Sequence, residues 1–69
     1  MKLSTRNQLD GTVTKVTHGE AMAVVRVRLN GGEEITSSIT RDAAEDLGLA
    51  DGKRVKVLIK STEVSLGVE

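Results

Sequence analysis

The sequence predicts a mainly β fold: a small five-stranded antiparallel barrel with one short helix between the third and fourth strands. Three observations carry that expectation. Runs of β-branched residues recur along the chain, several with apolar and polar positions alternating, which is the period of a half-buried strand. Asn30-Gly31-Gly32 separates two such runs, and these residues take the positive φ of a tight hairpin at little steric cost. One stretch only, Thr40 to Gly48, carries helix start and stop signals.

Leu3 to Gln8 is polar and precedes the first strand, expected over Thr12–Thr17 and opened by Gly11. His18-Gly19-Glu20 reads as a turn. The second strand runs from Met22 to Leu29, with Val25, Val27 and Leu29 on one face and Arg26 and Arg28 on the other. Glu33 to Ile39 returns antiparallel to it. In the helix, Thr40 is the expected N-cap, Asp42 suits the positive end of the dipole, and Gly48 suits a left-handed C-terminal cap. Ala44 and Leu47 are expected to face the barrel. Asp51-Gly52 is a turn, and Arg54 to Lys60 is the fourth strand. Its unbroken Val57-Leu58-Ile59 implies burial on both faces. Ser61-Thr62 breaks it, and Val64, Leu66 and Val68 alternate as a short fifth strand, Val64–Val68. Three strands, a helix and two more strands is the order of an OB-like barrel. The reading is of one domain, residues 1–69, with no linker, repeat or low-complexity segment.

Composition narrows the function. A chain of 69 residues buries only about 60% of the surface its unfolded form exposes, so its core is thin. Disulfides, metals and oligomerisation are the usual remedies. With no Cys and one His, disulfides, thiolate zinc sites and multi-histidine metal sites within one chain are excluded, which leaves a homo-oligomer. The lack of any Phe, Tyr or Trp sharpens this, because aromatics supply much of a small core's area. Lys and Arg total ten, as do Asp and Glu, so nucleic acid is not the expected partner. No apolar run is long enough to span a membrane and no signal segment opens the chain, so a cytoplasmic protein is expected. No nucleophile–base pair or paired-carboxylate arrangement points to an enzyme.

Two polar clusters stand out. Ser4-Thr5-Arg6-Asn7-Gln8 offers two hydroxyls, a guanidinium and two carboxamides with no carboxylate among them. Lys60-Ser61-Thr62 offers an ammonium and two hydroxyls near the other end of the chain. Brought together, within a chain or between neighbours, they form a pocket for a small anion with acceptor oxygens only. Taken separately, the first reads equally as a solvated tail and the second as a strand break. Asp10 and Glu63 flank the clusters and would repel such a ligand, so their side chains are expected to turn away. Arg26 and Arg28 read as a solvated strand face that pairs with Glu33 or Glu34 across the hairpin.

With the strands placed, the chain resembles the molbindins, small molybdate- and tungstate-binding proteins built from one TOBE-type domain. The resemblance rests on Ser4-Thr5-Arg6-Asn7-Gln8-Leu9 with Gly11, on Ile35-Thr36-Ser37-Ser38-Ile39-Thr40 leading into Leu47-Gly48-Leu49, and on Ile59-Lys60-Ser61-Thr62-Glu63-Val64. It implies storage of molybdate or tungstate for molybdenum homeostasis, with no organic cofactor, no direct protein–metal bond and no catalysis. It also implies a hexamer, a trimer of dimers, with oxyanion bound between subunits. Carried over by motif, the oxyanion-binding positions are Ser4, Arg6, Thr40, Lys60 and Ser61, with Thr5, Asn7 and Thr62 as secondary candidates. Thr5 stands where that family usually has Ala. If Thr40 caps the helix, its free N–H groups would add to the anion site.

Two other readings compete. Ile39-Thr40-Arg41, Leu47-Gly48-Leu49, Gly52 and Val55-Lys56-Val57 also resemble swapped-hairpin DNA-binding regulator and antitoxin domains. A bare interaction module of a larger transporter or regulator is the third, although Met1 and the lack of a linker favour a free-standing protein.

Overall fold

Valines at alternate positions build the core. Val13, Val25 and Val27 are 0%, 2% and 3% exposed, and Val16, Leu29, Ile39, Leu49, Val55 and Val57 pack around them. The structure, a computed structural model, describes residues 1–69. Its elements are β1 (Asn7–His18), β2 (Met22–Leu29), β3 (Glu34–Thr40), α1 (Arg41–Asp46) and β4 (Arg54–Ile59), followed by a single 3-10 turn, Ser61–Glu63. The strands form one antiparallel sheet in the order β3-β2-β1-β4. The sheet curls so that the inner faces of all four strands line one groove of about 210 Å3. Its edges, β3 and β4, do not pair with each other, so the barrel is open along one side.

β1 organises the sheet. It pairs with β2 along one edge and with β4 along the other. A central twelve-residue strand has no place in a swapped-hairpin regulator, so the fold does not follow that alternative reading. Val13 and Val16 both belong to the core although they are three residues apart, an offset that plain alternation places on opposite faces. A β-bulge between Val13 and Lys15 resolves this: Thr14 is the extra residue, and its hydroxyl donates to the Arg26 carbonyl at 3.3 Å. Gly11, also on β1, is buried where β1 crosses the end of β2. A Cβ there would sit 2.7 Å from Val27 Cγ1 and 2.8 Å from the Arg28 carbonyl oxygen.

The hairpin forms where Asn30-Gly31-Gly32 predicts it, closed by Leu29 N–H to Glu33 O and Gly32 N–H to Leu29 O, with positive φ at Gly32 alone. Arg26, but not Arg28, forms the cross-strand ion pair, its guanidinium 2.9 Å from Glu34. Thr40 caps α1 as expected: its Oγ1 accepts from Ala43 N–H at 3.1 Å. Gly48 closes the helix at φ 64° and donates to Glu45 O. Ala44 is buried beneath the helix, but Leu47 is 61% exposed at the rim of the groove, because the open barrel has no wall there to cover it.

Two further expectations are corrected. Leu58 is 44% exposed: β4 is an edge strand whose inner face alone is covered, so its apolar run reports one buried face and not two. The fifth strand does not form within the protomer. After the 3-10 turn the chain leaves the sheet, and Val64, Leu66 and Val68 are 48%, 94% and 100% exposed. A strand needs a ladder partner, and the tail pairs with none of the four strands.

Asp10, in β1, faces Lys56 across the β1–β4 ladder, with Nζ 2.9 Å from Oδ1. That hydrogen bond, and then the attraction of the same ammonium, holds the Asp10 carboxyl below its ordinary pKa; slight desolvation opposes this, and Arg54 adds to it. A carboxyl whose pKa is lowered by folding stabilises the fold above its unfolded pKa and loses that contribution as pH falls through the folded one. Asp10→Asn should therefore melt below wild type at pH 7 by a margin that shrinks as pH drops below about 4. Thermal melts of both proteins across that range check it. Gly11→Ala should destabilise by about 1–3 kcal/mol, because backbone and a buried valine must move to admit the methyl group. Chemical denaturation measures that loss.

Candidate oxyanion site

β1 begins at Asn7, well before its β-branched run, because the polar segment Asn7–Asp10 finds a ladder partner in β4. Asn7 pairs with Ile59, and the Asn7 carboxamide donates through Nδ2 to the Ile59 carbonyl at 2.9 Å. Arg6 and Lys60 are the next residues outward on the two segments, just beyond the last rung of that ladder. The fold thus joins the two polar clusters, from opposite ends of the sequence, at one end of the sheet.

The charges there are unbalanced. Arg6 and Lys60 are both exposed, and neither takes part in any of the ion pairs of the chain, which use Arg26, Arg41 and Lys56. Like charges brought to the same end of a ladder repel each other unless an anion lies between them. The nearest acid along β1, Asp10, is engaged by Lys56. Glu63 lies exposed in the 3-10 turn. In that turn, Glu63 N–H bonds Lys60 O and Val64 N–H bonds Ser61 O. The turn leaves the opening N–H groups of Ser61 and Thr62 without an acceptor inside it. These two backbone donors were not anticipated, since nothing in Lys60-Ser61-Thr62 announces a helical turn in place of a strand break.

The remaining candidates fall in different places. Ser4 is exposed, Thr5 half-buried, and Ser61 and Thr62 exposed, all at the Arg6–Lys60 end. Asn7 commits one Nδ2 hydrogen to Ile59 O and keeps the other. Gln8 donates through Nε2 to the Thr5 carbonyl at 2.8 Å and braces the segment from within. Thr40 lies elsewhere. It pairs with Met22 at the end of β3, beside the His18 end of β1. The strand path from there back to Asn7 is roughly 35 Å at about 3.3 Å per residue. Within one protomer, Thr40 does not meet Arg6 or Lys60.

The helix start is also less open than expected. Arg41 N–H is taken by Ala21 O and Ala43 N–H by Thr40 Oγ1, so of the first three N–H groups only that of Asp42 is left, beside its own carboxylate. Thr40 Oγ1 accepts the capping bond but keeps its hydroxyl hydrogen, so this side chain can still donate outward.

The sequence pattern of the TOBE domain matches residues 3–66. A probable molybdenum-pterin-binding protein of Haemophilus influenzae is 39% identical over 69 residues, the whole of both chains. The structure of a molybdate-binding protein from Sporomusa ovata superposes with a TM-score of 0.93 at 37% identity, covering 99% of this chain and 100% of that one. The cytoplasmic molybdate-binding protein ModG, in a form with molybdate bound, superposes with a TM-score of 0.95 at 43% identity; it covers 100% of this chain, which spans 49% of ModG. With its open antiparallel barrel, its single capped helix and the match from Leu3 to Leu66, the chain belongs to the TOBE domain family.

Proposed function

We propose that this chain binds molybdate or tungstate in seams between copies of itself and holds the ion without catalysing a reaction. One observation supports the reading: the β1–β4 ladder ends at Asn7–Ile59, so Arg6 and Lys60 leave the sheet at the same end, with no carboxylate paired to either. Molybdate is a tetrahedral dianion whose oxygens only accept hydrogen bonds. Stripping its water demands a donor for each lost bond, since an unpaired buried charge is costly. Two cations match its charge. The hydroxyls of Ser4 and Ser61, with Thr5, Thr62 and the Ser61 and Thr62 N–H groups nearby, supply directional donors. The similar proteins from Haemophilus influenzae and Sporomusa ovata and ModG are all described by what they bind, which supports a binding protein.

Burial supports assembly. Only 6 of 69 residues are buried, while Leu9, Met22, Val24, Leu47, Leu58 and Leu66 are each more than a third exposed. Exposed apolar surface of that extent, beside two open strand edges, is the signature of an interface. We infer that the tail Val64–Val68 pairs with a neighbouring protomer and there becomes the fifth strand of an OB-like barrel. A homo-oligomer also gives Thr40 its role, donated across a seam to the Arg6 and Lys60 of another copy. The hexamer, a trimer of dimers, is the assembly we expect. Among its α-helices the chain has only α1, which is too short to cross a membrane, and ModG is described as cytoplasmic; we read this protein as cytoplasmic too. The DNA-binding alternative is set aside, because the likeness runs to the TOBE domain along nearly the whole chain.

Isothermal titration should give tight binding of molybdate and tungstate and much weaker binding of sulfate, which has the same charge but is smaller. Arg6→Ala and Lys60→Ala should each weaken molybdate binding by roughly 10- to 100-fold, the loss of one charge-assisted contact. Unchanged affinity in both variants would remove the site from this end of the sheet. Light scattering at micromolar concentration should give an oligomer, and Leu66→Asp combined with Val68→Asp should shift it to smaller species.

A further inference from the structure

Asn7 carries more than its share of the site's geometry. It is half-buried and belongs to the ladder twice over, since its backbone is in register with Ile59 and its carboxamide donates to the Ile59 carbonyl at 2.9 Å. Ile59 is the last residue of β4, and its carbonyl is the backbone atom immediately before Lys60. Asn7 is the first residue of β1, and Arg6 immediately precedes it. One side chain therefore fastens together the two points from which the opposed cations depart. The pairing benefits from such a fastening, because the ladder ends there, close to both chain termini, where fraying begins. Two facing cations would also drive the ends apart when no anion is present. Gln8 adds a local brace, its carboxamide 2.8 Å from the Thr5 carbonyl, so that the turn of chain holding Thr5 and Arg6 is closed on one side while Asn7 ties it to β4 on the other.

We propose that Asn7 is a positioning residue that sets the spacing between Arg6 and Lys60, and through it the size of oxyanion the seam accepts, without itself contacting the ion. The inference rests on the molybdate-binding reading above and refines it. A tetrahedral oxyanion is discriminated from a smaller one of equal charge only if the donors cannot close in on the smaller ion. A frayed pair of strand ends adapts to either, whereas a pair held by a side-chain bond does not. Asn suits the task chemically. A hydroxyl at this position is too short to span to the carbonyl, and a carboxylate would oppose an acceptor with an acceptor.

The test is titration of Asn7→Ala, Asn7→Asp and wild type with molybdate and with sulfate, and Thr14→Ala serves as the control. Thr14 also bonds a backbone carbonyl from β1, at 3.3 Å, but inside the bulge and remote from Arg6. Asn7→Ala should bind molybdate about tenfold more weakly while sulfate affinity stays nearly constant, so that the ratio of the two collapses. Asn7→Asp should lose at least as much selectivity. Thr14→Ala, matched for any loss of thermal stability, should keep the wild-type ratio. A wild-type molybdate-to-sulfate ratio in Asn7→Ala overturns the proposal, as does an equal loss of selectivity in Thr14→Ala, which would mark a general effect of stability. If wild type itself binds no molybdate, the functional reading fails, and this inference falls with it. Binding by wild type with selectivity unchanged in Asn7→Ala sinks this inference alone.

Discussion

The pairing of the first half of β1 with β4 is the constraint on which the rest depends. It joins residues distant in sequence, from Thr12 with Arg54 out to Asn7 with Ile59, and it ties the end of the chain to its beginning. Everything proposed for the site follows from its register. A shift by one residue would turn Val55 and Val57 out of the core, because a strand's faces alternate at every position. The hydrophobic face of β4 thus fixes which residues lie at the far end of the ladder. Burial of valines at one end of the strand sets the separation of charges at the other.

A second constraint is the shortage of core. The valine cluster is small and lacks aromatic side chains, and the curled sheet leaves a groove open between β3 and β4. A protomer of this kind exposes apolar side chains that a self-sufficient domain of the same fold would cover. The same shortage accounts for a proposed site at the ends of strands and in the segments that leave the sheet. An oxyanion needs desolvation, and a thin domain has no interior large enough to provide it. The space between two copies does.

Local features of the fold were legible in the sequence because short-range chemistry determines them. The hairpin at Asn30-Gly31-Gly32, the Thr40 cap and the Gly48 terminator all depend on residues within a few positions of one another. The alternation of β2 was legible too, since both faces are written in its valines and arginines. What escaped depends on partners distant in sequence. Asn7-Gln8-Leu9-Asp10 carries no strand signal, and it becomes a strand because β4 presents an edge to it. Val64, Leu66 and Val68 carry a strand signal and form none, because they pair with no strand of their own chain. The bulge at Thr14 had a trace in the sequence, the three-residue offset of Val13 and Val16, but only the register of β2 identifies the extra residue.

The site was half legible on the same grounds. Residue types in the two clusters, donors without carboxylates, point to an anion, and the fold brings the clusters to one end of the sheet. Thr40 sits beside the other end of β1, so the role proposed for it requires a second copy, which no single-chain pattern describes. The most direct measurement of the central claim is an X-ray structure of crystals soaked in tungstate, in which anomalous scattering marks the heavy atom. Density is expected in a seam between protomers, within hydrogen-bonding reach of Arg6 and Lys60 of one chain and Thr40 of another. Density bound wholly within one protomer, or away from Arg6 and Lys60 in every copy, would contradict it.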